Sequence, residues 1–290
     1  FIGFCVSSVL FGMGRGASEQ ARFVAAEVYL PHRQVKVIAL IVFASAVGAI
    51  GGPLLIDPSG RLAAEYGLHA HTGPYLTATV FAALSAVLTF ALLRPDPMTI
   101  GSRLVVHRQA HEADSPARSL RLIFAGGTVR LAVTAMVIGQ LVMTLIMVIT
   151  PLHMDHHSHS LKAISWVVMS HALGMYGLSS LTGRLTDRLG RIPIIIIGSV
   201  MLAVSSLLTP VSADMASLAF ALFLLGLGWN FCFIAGSSLL SSTLSSGERG
   251  SAQGANEMVI ALAAGIGSLG TGFVFAWRGI MAVSIVGLVF

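Results

Sequence analysis

Charge is what this sequence has least of. Lys, Arg, Asp and Glu together make up 10% of its 290 residues, against about a quarter in a soluble domain. Cysteine is almost missing as well. Cys5 and Cys232 both fall in apolar stretches, so they read as small core side chains and exclude a disulfide-stapled scaffold. No Gly-x-x-x-x-Gly-Lys-Ser/Thr run occurs, which excludes a phosphate-binding loop of the ATP-driven kind. A basic flank ahead of the first apolar run is lacking too, so Phe1 onward does not read as a signal peptide. What is abundant is apolar: 55% hydrophobic residues, 31 glycines and a mean hydropathy of +0.86. That composition belongs to a polytopic membrane protein, not to a water-soluble globule.

A bilayer span needs about 20 mostly apolar residues. Long runs with little or no charge occupy 37–56, 72–93, 131–154, 163–183, 192–213, 215–247 and 258–276, and a further span at 1–29 carries charges in its second half. A ninth begins at Gly279 and is too short to cross before Phe290. Leu-rich segments of this length are helices, because lipid leaves every backbone polar group to be satisfied within the segment. The expected fold is therefore an all-α transmembrane bundle of eight complete helices and part of a ninth.

The net charge of +5 invites a nucleic-acid reading, which placement removes. Of the 17 Lys and Arg, only Arg61, Lys162 and Arg278 fall on one side of the alternating loops, and the rest fall on the other. The positive-inside rule makes the rich side cytoplasmic. The hydrophilic stretch 94–128 then reads as a cytoplasmic linker between two helical groups, 1–93 and 129–290. A weak internal repeat supports two groups: Leu10-Phe11-Gly12-Met13-Gly14 and Leu224-Leu225-Gly226-Leu227-Gly228 share a pattern six helices apart. That layout suits a transporter built from two similar halves.

After the fifth span the chain reads Gly183-Arg184-Leu185-Thr186-Asp187-Arg188-Leu189-Gly190-Arg191. This resembles the G-x-L-x-D-R-x-G-R loop motif of the major facilitator superfamily, with every fixed position matched. Two glycines would allow a tight turn between helices. Gly48-Ala49-Ile50-Gly51-Gly52-Pro53 resembles the G-x-x-x-G-P core of that family's antiporter motif, in which Gly48 and Gly52 allow close packing and Pro53 bends the helix. Ile56 and Asp57 stand where the motif's trailing glycines would be, and Ser8 stands where the family often has an Arg. The resemblance implies that these are family helices 4 to 12, with both ends cut and the fragment unable to transport alone. It also implies alternating access, a small-molecule substrate, a monomer in the plasma (inner) membrane, and neither enzymatic chemistry nor a cofactor.

Ionisable residues inside a span are costly and become functional candidates. Arg15, Glu19 and Arg22 share one helical face, and Arg15 lies roughly 20 Å from the expected helix end at 1.5 Å per residue. Glu19 is the expected proton-coupling residue, with Arg15 tuning it and Arg22 nearer the end; His171 is a second titratable candidate. Gln140, Trp229 and Asn230 lie mid-span, where amides and an indole would orient a solute. Asn256 and Glu257 are expected to open the eighth helix. His153, His156, His157 and His159 crowd the loop after the fourth span, a weak candidate for a metal ion. The reading is secondary transport of a small solute, proton-coupled efflux in the first instance. A receptor of transporter-like build and a metal-ion transporter are the alternatives. A membrane di-iron oxygenase is disfavoured, because His153-x-x-His156-His157 and His107-x-x-x-His111 fall on opposite sides.

Overall fold

A computed structural model describes residues 2–3, 5–14, 44, 46–94, 118–211 and 214–290. The fold is an all-α membrane bundle, and no strand occurs among the described residues. Cys5–Gly14 and residues 46–54 are helical. Then follow α1 (Ile56–Glu65), α2 (Thr72–Leu92), α3 (Leu120–Ala125), α4 (Gly127–His156), α5 (Leu161–Ala172), α6 (Ser179–Leu189), α7 (Arg191–Leu208), α8 (Met215–Ser242) and α9 (Ser246–Val289). Helices long and apolar enough to cross a bilayer are Thr72–Leu92, Gly127–His156, Arg191–Leu208, Met215–Ser242 and Gly250–Val289.

The differences from expectation sit at helix ends. The stretch after Ile56, expected as a loop, holds α1, whose Pro58 falls in the first turn where a missing N–H costs nothing. Its Arg61 and Asp57 pair at 2.7 Å one turn apart. Gly183 and Asp187 fall inside α6 rather than in a turn; Gly190 alone makes the turn to α7, at φ 91°. The linker's last residues are already helical, in α3 and the start of α4. α9 begins at Ser246, well before Met258, because Ser245 and Glu248 form a reciprocal capping box. Asn256 and Glu257 therefore lie inside that helix and do not open it. Non-helical dihedrals at Arg278 and Gly279 interrupt α9, where the ninth segment was expected to start.

α8 is the centre of the bundle and packs against α4, α5, α6 and α7. Asp214 starts it by accepting from the N–H groups of Ala216 and Ser217 at 3.1 and 3.3 Å. Between lipid-exposed helices there is no hydrophobic drive to associate, so close contact at small residues does the work. Three glycines of α8 face three neighbours. A Cβ on Gly226 would collide with the His171 carbonyl of α5, and one on Gly228 would sit 2.8 Å from the Gly198 carbonyl of α7. On Gly236 it would sit 2.7 Å from the Met136 side chain of α4. The buried core around them is Leu218, Leu222, Leu225, Phe231, Ala235 and Leu240 with Val142, Ile146 and Ile194 from the neighbours.

This packing generates a measurable expectation. Gly226→Ala must push α5 off α8 and should cost at least the 1–3 kcal/mol of a typical overpacked core, read as a lower thermal midpoint in detergent. Gly254→Ala, where a Cβ meets nothing within 4 Å, should be neutral or slightly stabilising. Equal midpoints for the two variants would refute the close-approach account.

Candidate functional site

Side chains four residues apart lie one above another on a helix. Trp229, Phe233, Ser237 and Ser241 therefore form a strip along α8, and all four are half-buried. Trp229 stacks on Phe233 with ring centroids 4.8 Å apart and planes 14° from parallel. Tyr176 meets Trp229 edge-on at 6.3 Å. The indole Nε1 donates to Gln140 Oε1 of α4 at 2.9 Å, and Gln140 Nε2 donates to Thr144 Oγ1 at 3.1 Å. Two of the polar residues singled out mid-span, Gln140 and Trp229, are thus brought together.

Further along the strip, Ser237 Oγ donates to the Met136 sulfur at 3.4 Å, and Asn256 Nδ2 approaches the same sulfur at 3.8 Å. Gln253 Nε2 donates to Ser241 Oγ at 3.2 Å. The strip is uncharged: three aromatic rings at one end, hydroxyls and amides at the other. Tyr176 and Phe233 were missed at the sequence level. Phe233 was legible as one turn after Trp229, whereas Tyr176 arrives from another helix.

Asn230 sits beside Trp229 in sequence but faces the other way. It is 2% exposed, and its amide is engaged at both ends. Nδ2 donates to the Met175 carbonyl at 2.6 Å and to Ser179 Oγ at 2.9 Å, while Oδ1 accepts from Thr182 Oγ1 at 2.5 Å. Met175 lies within a single π-helical turn, Leu173–Gly177, between α5 and α6, and Ser179 and Thr182 follow it in α6. His171 is buried one turn earlier: Nδ1 lies 3.0 Å from the Leu222 carbonyl, and Nε2 has no hydrogen-bond partner. Arg15, Glu19 and Arg22 lie outside the described residues.

At the Arg-rich end, the loop motif divides. Leu185 packs against the core; Asp187 and Arg188 are exposed at the end of α6. Arg191 donates from Nε to Ser238 Oγ and from a terminal nitrogen to Ser242 Oγ, both at 3.0 Å. Gly48 and Gly52 have nothing within 4 Å of a Cβ among the described residues. The helix carrying them stops after Pro53: Leu54 ends it, and the Leu55 N–H turns back to the Gly52 carbonyl at 3.0 Å. At the opposite end α4 continues through His153 and His156, so these are helical and not in a loop. His153 and His157 pack ring to ring at 4.3 Å, and His156 turns toward Phe275. Among the described residues no three His, Cys, Asp or Glu side chains converge as a metal site.

An ion pair not foreseen from sequence closes the Arg-rich end. Arg118 Nε donates to Glu248 Oε1 at 2.7 Å, and a terminal nitrogen donates to Oε2 at 2.8 Å. The Arg118 backbone N–H adds a 2.9 Å bond to Oε1, and the same terminal nitrogen reaches the Thr243 carbonyl at 2.9 Å. The Ser245-x-x-Glu248 spacing was the available signal, as a capping box. The Arg118 side chain, then the Ser245 and Arg118 N–H groups, hold the Glu248 carboxyl far below the usual range.

A depressed carboxylate stabilises the fold above its unfolded pKa of about 4.3 and loses that contribution as pH falls below it. Wild type should therefore melt higher than Glu248→Gln at neutral pH, with the gap narrowing below pH about 4.3. A gap unchanged down to pH about 3 would refute the assignment.

Residues 131–290 match the sequence profile of the Major Facilitator Superfamily. The chain is 31% identical over 290 residues to YdeG, an uncharacterized MFS-type transporter of Bacillus subtilis, covering 97% of this chain and 66% of that protein. It is 28% identical over 293 residues to YddS, another such transporter of B. subtilis, covering 98% and 66% respectively. It is 28% identical over 264 residues to the riboflavin transporter RfnT of Brucella anthropi, covering 90% of this chain and 62% of that one. The chain thus spans 66% of the length of the two B. subtilis relatives. The profile covers α4 through α9, where the loop motif, the glycine-packed central helix and the aromatic strip all lie, and the chain belongs to the major facilitator superfamily.

Proposed function

We propose that this chain is the greater part of a secondary transporter that carries a small planar aromatic solute by alternating access. The observation that carries the reading is the uncharged strip in which Trp229 is stacked, edge-packed and hydrogen-bonded to Gln140. Aromatic rings with a few placed polar groups favour flat, largely apolar ligands with hydrogen-bonding edges. The riboflavin transporter among the relatives carries a name consistent with such a solute. Trp229 and Gln140 contact the solute in this reading, while Asn230 braces the helix behind them. Residues 1–93 and 129–290 belong to two halves joined by the 94–128 linker, and they rock about the solute.

The remaining roles follow the same reading. Glu19 takes and releases the coupling proton, with Arg15 and Arg22 on its face and His171 as a second titratable group. The Gly183–Arg191 segment stabilises one of the two conformations, and Gly48, Gly52 and Pro53 shape a helix of the other half. The protein works as a monomer in the plasma membrane, exchanging solute outward for protons, with no cofactor and no enzymatic step.

The test uses the full-length protein in everted vesicles carrying a proton gradient read by a pH-sensitive dye. Riboflavin, lipophilic cations, sugars, organic acids and Zn²⁺ are added singly. A planar aromatic solute should collapse the gradient, Glu19→Gln should abolish the response, and Trp229→Ala should raise the half-saturating concentration about tenfold, the scale of one aromatic pair. Collapse by sugars alone, indifferent to Trp229→Ala, would overturn the solute class; collapse that survives Glu19→Gln would overturn the coupling residue.

A further inference from the structure

A π-helical turn holds one more residue than an α-helical turn, leaves the local carbonyls without their usual partners, and persists where something else satisfies them. The turn Leu173–Gly177 is held in two ways. Its backbone lies directly on α8: a Cβ on Gly174 would collide with the Phe223 carbonyl, and Gly226 is closed off by His171 and Met175 of the turn's own segment. Its Met175 carbonyl accepts from Asn230 Nδ2, and Ser179 Oγ donates to the Tyr176 carbonyl at 2.9 Å while accepting from Asn230. Tyr176 is the turn's only ring, and it is the ring that meets Trp229.

We propose that Asn230 is a positioning residue of the solute site: by clamping the π-helical turn through Met175 and Ser179, it presents Tyr176 edge-on to Trp229. This rests on the aromatic strip being the solute site. Without the clamp the turn relaxes toward α-helical register, which rotates Tyr176 by about 100°, one residue's worth of helix, and takes its edge off the indole. Thr182 ties the other end of the same amide to α6. The helix that carries the loop motif is thus joined to the residue that sets the aromatic geometry.

The experiment reads the geometry without any solute. Full-length protein is labelled with 5-fluorotryptophan, and the Trp229 resonance is assigned by its loss in Trp229→Phe. Its fluorine shift responds to the Tyr176 ring. Asn230→Leu should displace the resonance as Tyr176→Ala does, and the double variant should move it no further than Tyr176→Ala alone. Additive displacements, or an unmoved resonance in Asn230→Leu, would overturn the proposal. Should Asn230→Leu not fold, Ser179→Ala removes one partner of the clamp; it should give a smaller displacement that vanishes in the Tyr176→Ala background, and its persistence there would be equally fatal.

A titration with riboflavin on the same samples separates this from the solute reading. Binding should weaken about 3- to 10-fold in Asn230→Leu, the range for an aromatic pair, and equally in the double variant. If no riboflavin or other planar aromatic moves the wild-type resonance, the solute reading fails, while the shift pattern still decides what Asn230 holds.

Discussion

The geometry of the candidate site depends on how closely α4, α5 and α7 approach α8. Gly226, Gly228 and Gly236 point to three different sides of it, and at each a neighbour's backbone or side chain fills the space of the missing Cβ. Lipid tails are as apolar as leucine, so a membrane helix gains little by burying leucine against leucine. It gains by contact at short range, and glycine is what permits that range. Because α5 is held this close, His171 reaches the Leu222 carbonyl and Asn230 reaches across to Met175. On the opposite flank the approach of α4 lets Gln140 meet Trp229. The polar contacts of the site are consequences of the glycine contacts.

A second constraint acts at the Arg-rich end of α8. Helix C-termini expose carbonyls and favour cations, yet the last turn of α8 contains no basic residue. Other elements provide them. Arg118 donates to the Thr243 carbonyl just beyond the end, and Arg191 donates to Ser238 and Ser242 within it. The side chains that the positive-inside pattern gathers on one side of the membrane therefore also close a helix end. Glu248 completes the arrangement, fixing Arg118 while capping α9. Arg191 is the last residue of the loop motif, so one position of that motif is occupied in holding α7 to α8.

Much of this was legible in the sequence where the signal was local and strong. Span positions followed from apolar runs, and the family followed from nine consecutive residues ending at Arg191. Mid-span Gln140 and Trp229 stood out because polar groups are costly there. Helix ends were misplaced where a cap overrode the hydropathy: α9 begins at a capping box amid polar residues, so an apolar window finds it twelve residues late. His153 and His156 looked like loop because histidine is polar, but α4 continues through them, and His157 and His159 alone of the four lie beyond its end. The partners of Asn230 and Glu248 lay beyond reach for a different reason. Thr182, Ser179 and Met175 lie 48, 51 and 55 residues from Asn230, and Arg118 lies 130 from Glu248; only the packing brings them together.

On the proposed function, the character of the strip also bears on how transport energy would enter. Trp229, Phe233, Gln140, Thr144, Ser237 and the Tyr176 ring offer stacking and hydrogen bonds, which in that reading hold and orient the solute. A charge inside a span costs several kcal/mol unless paired or wetted, and the strip itself uses rings, hydroxyls and amides. On the proposed function, coupling comes from a titratable group outside the strip, the role given to Glu19 with His171 as the second candidate. Separating binding from coupling in the proposed way would make the two halves chemically unlike. The half containing α4 through α9 would, on the proposed function, orient the solute through stacking and hydrogen bonds, and Glu19 of the other half would carry the coupling proton. On that division, substitutions in the aromatic strip change apparent affinity and solute choice and leave the proton requirement intact. Substitutions at Glu19 do the reverse.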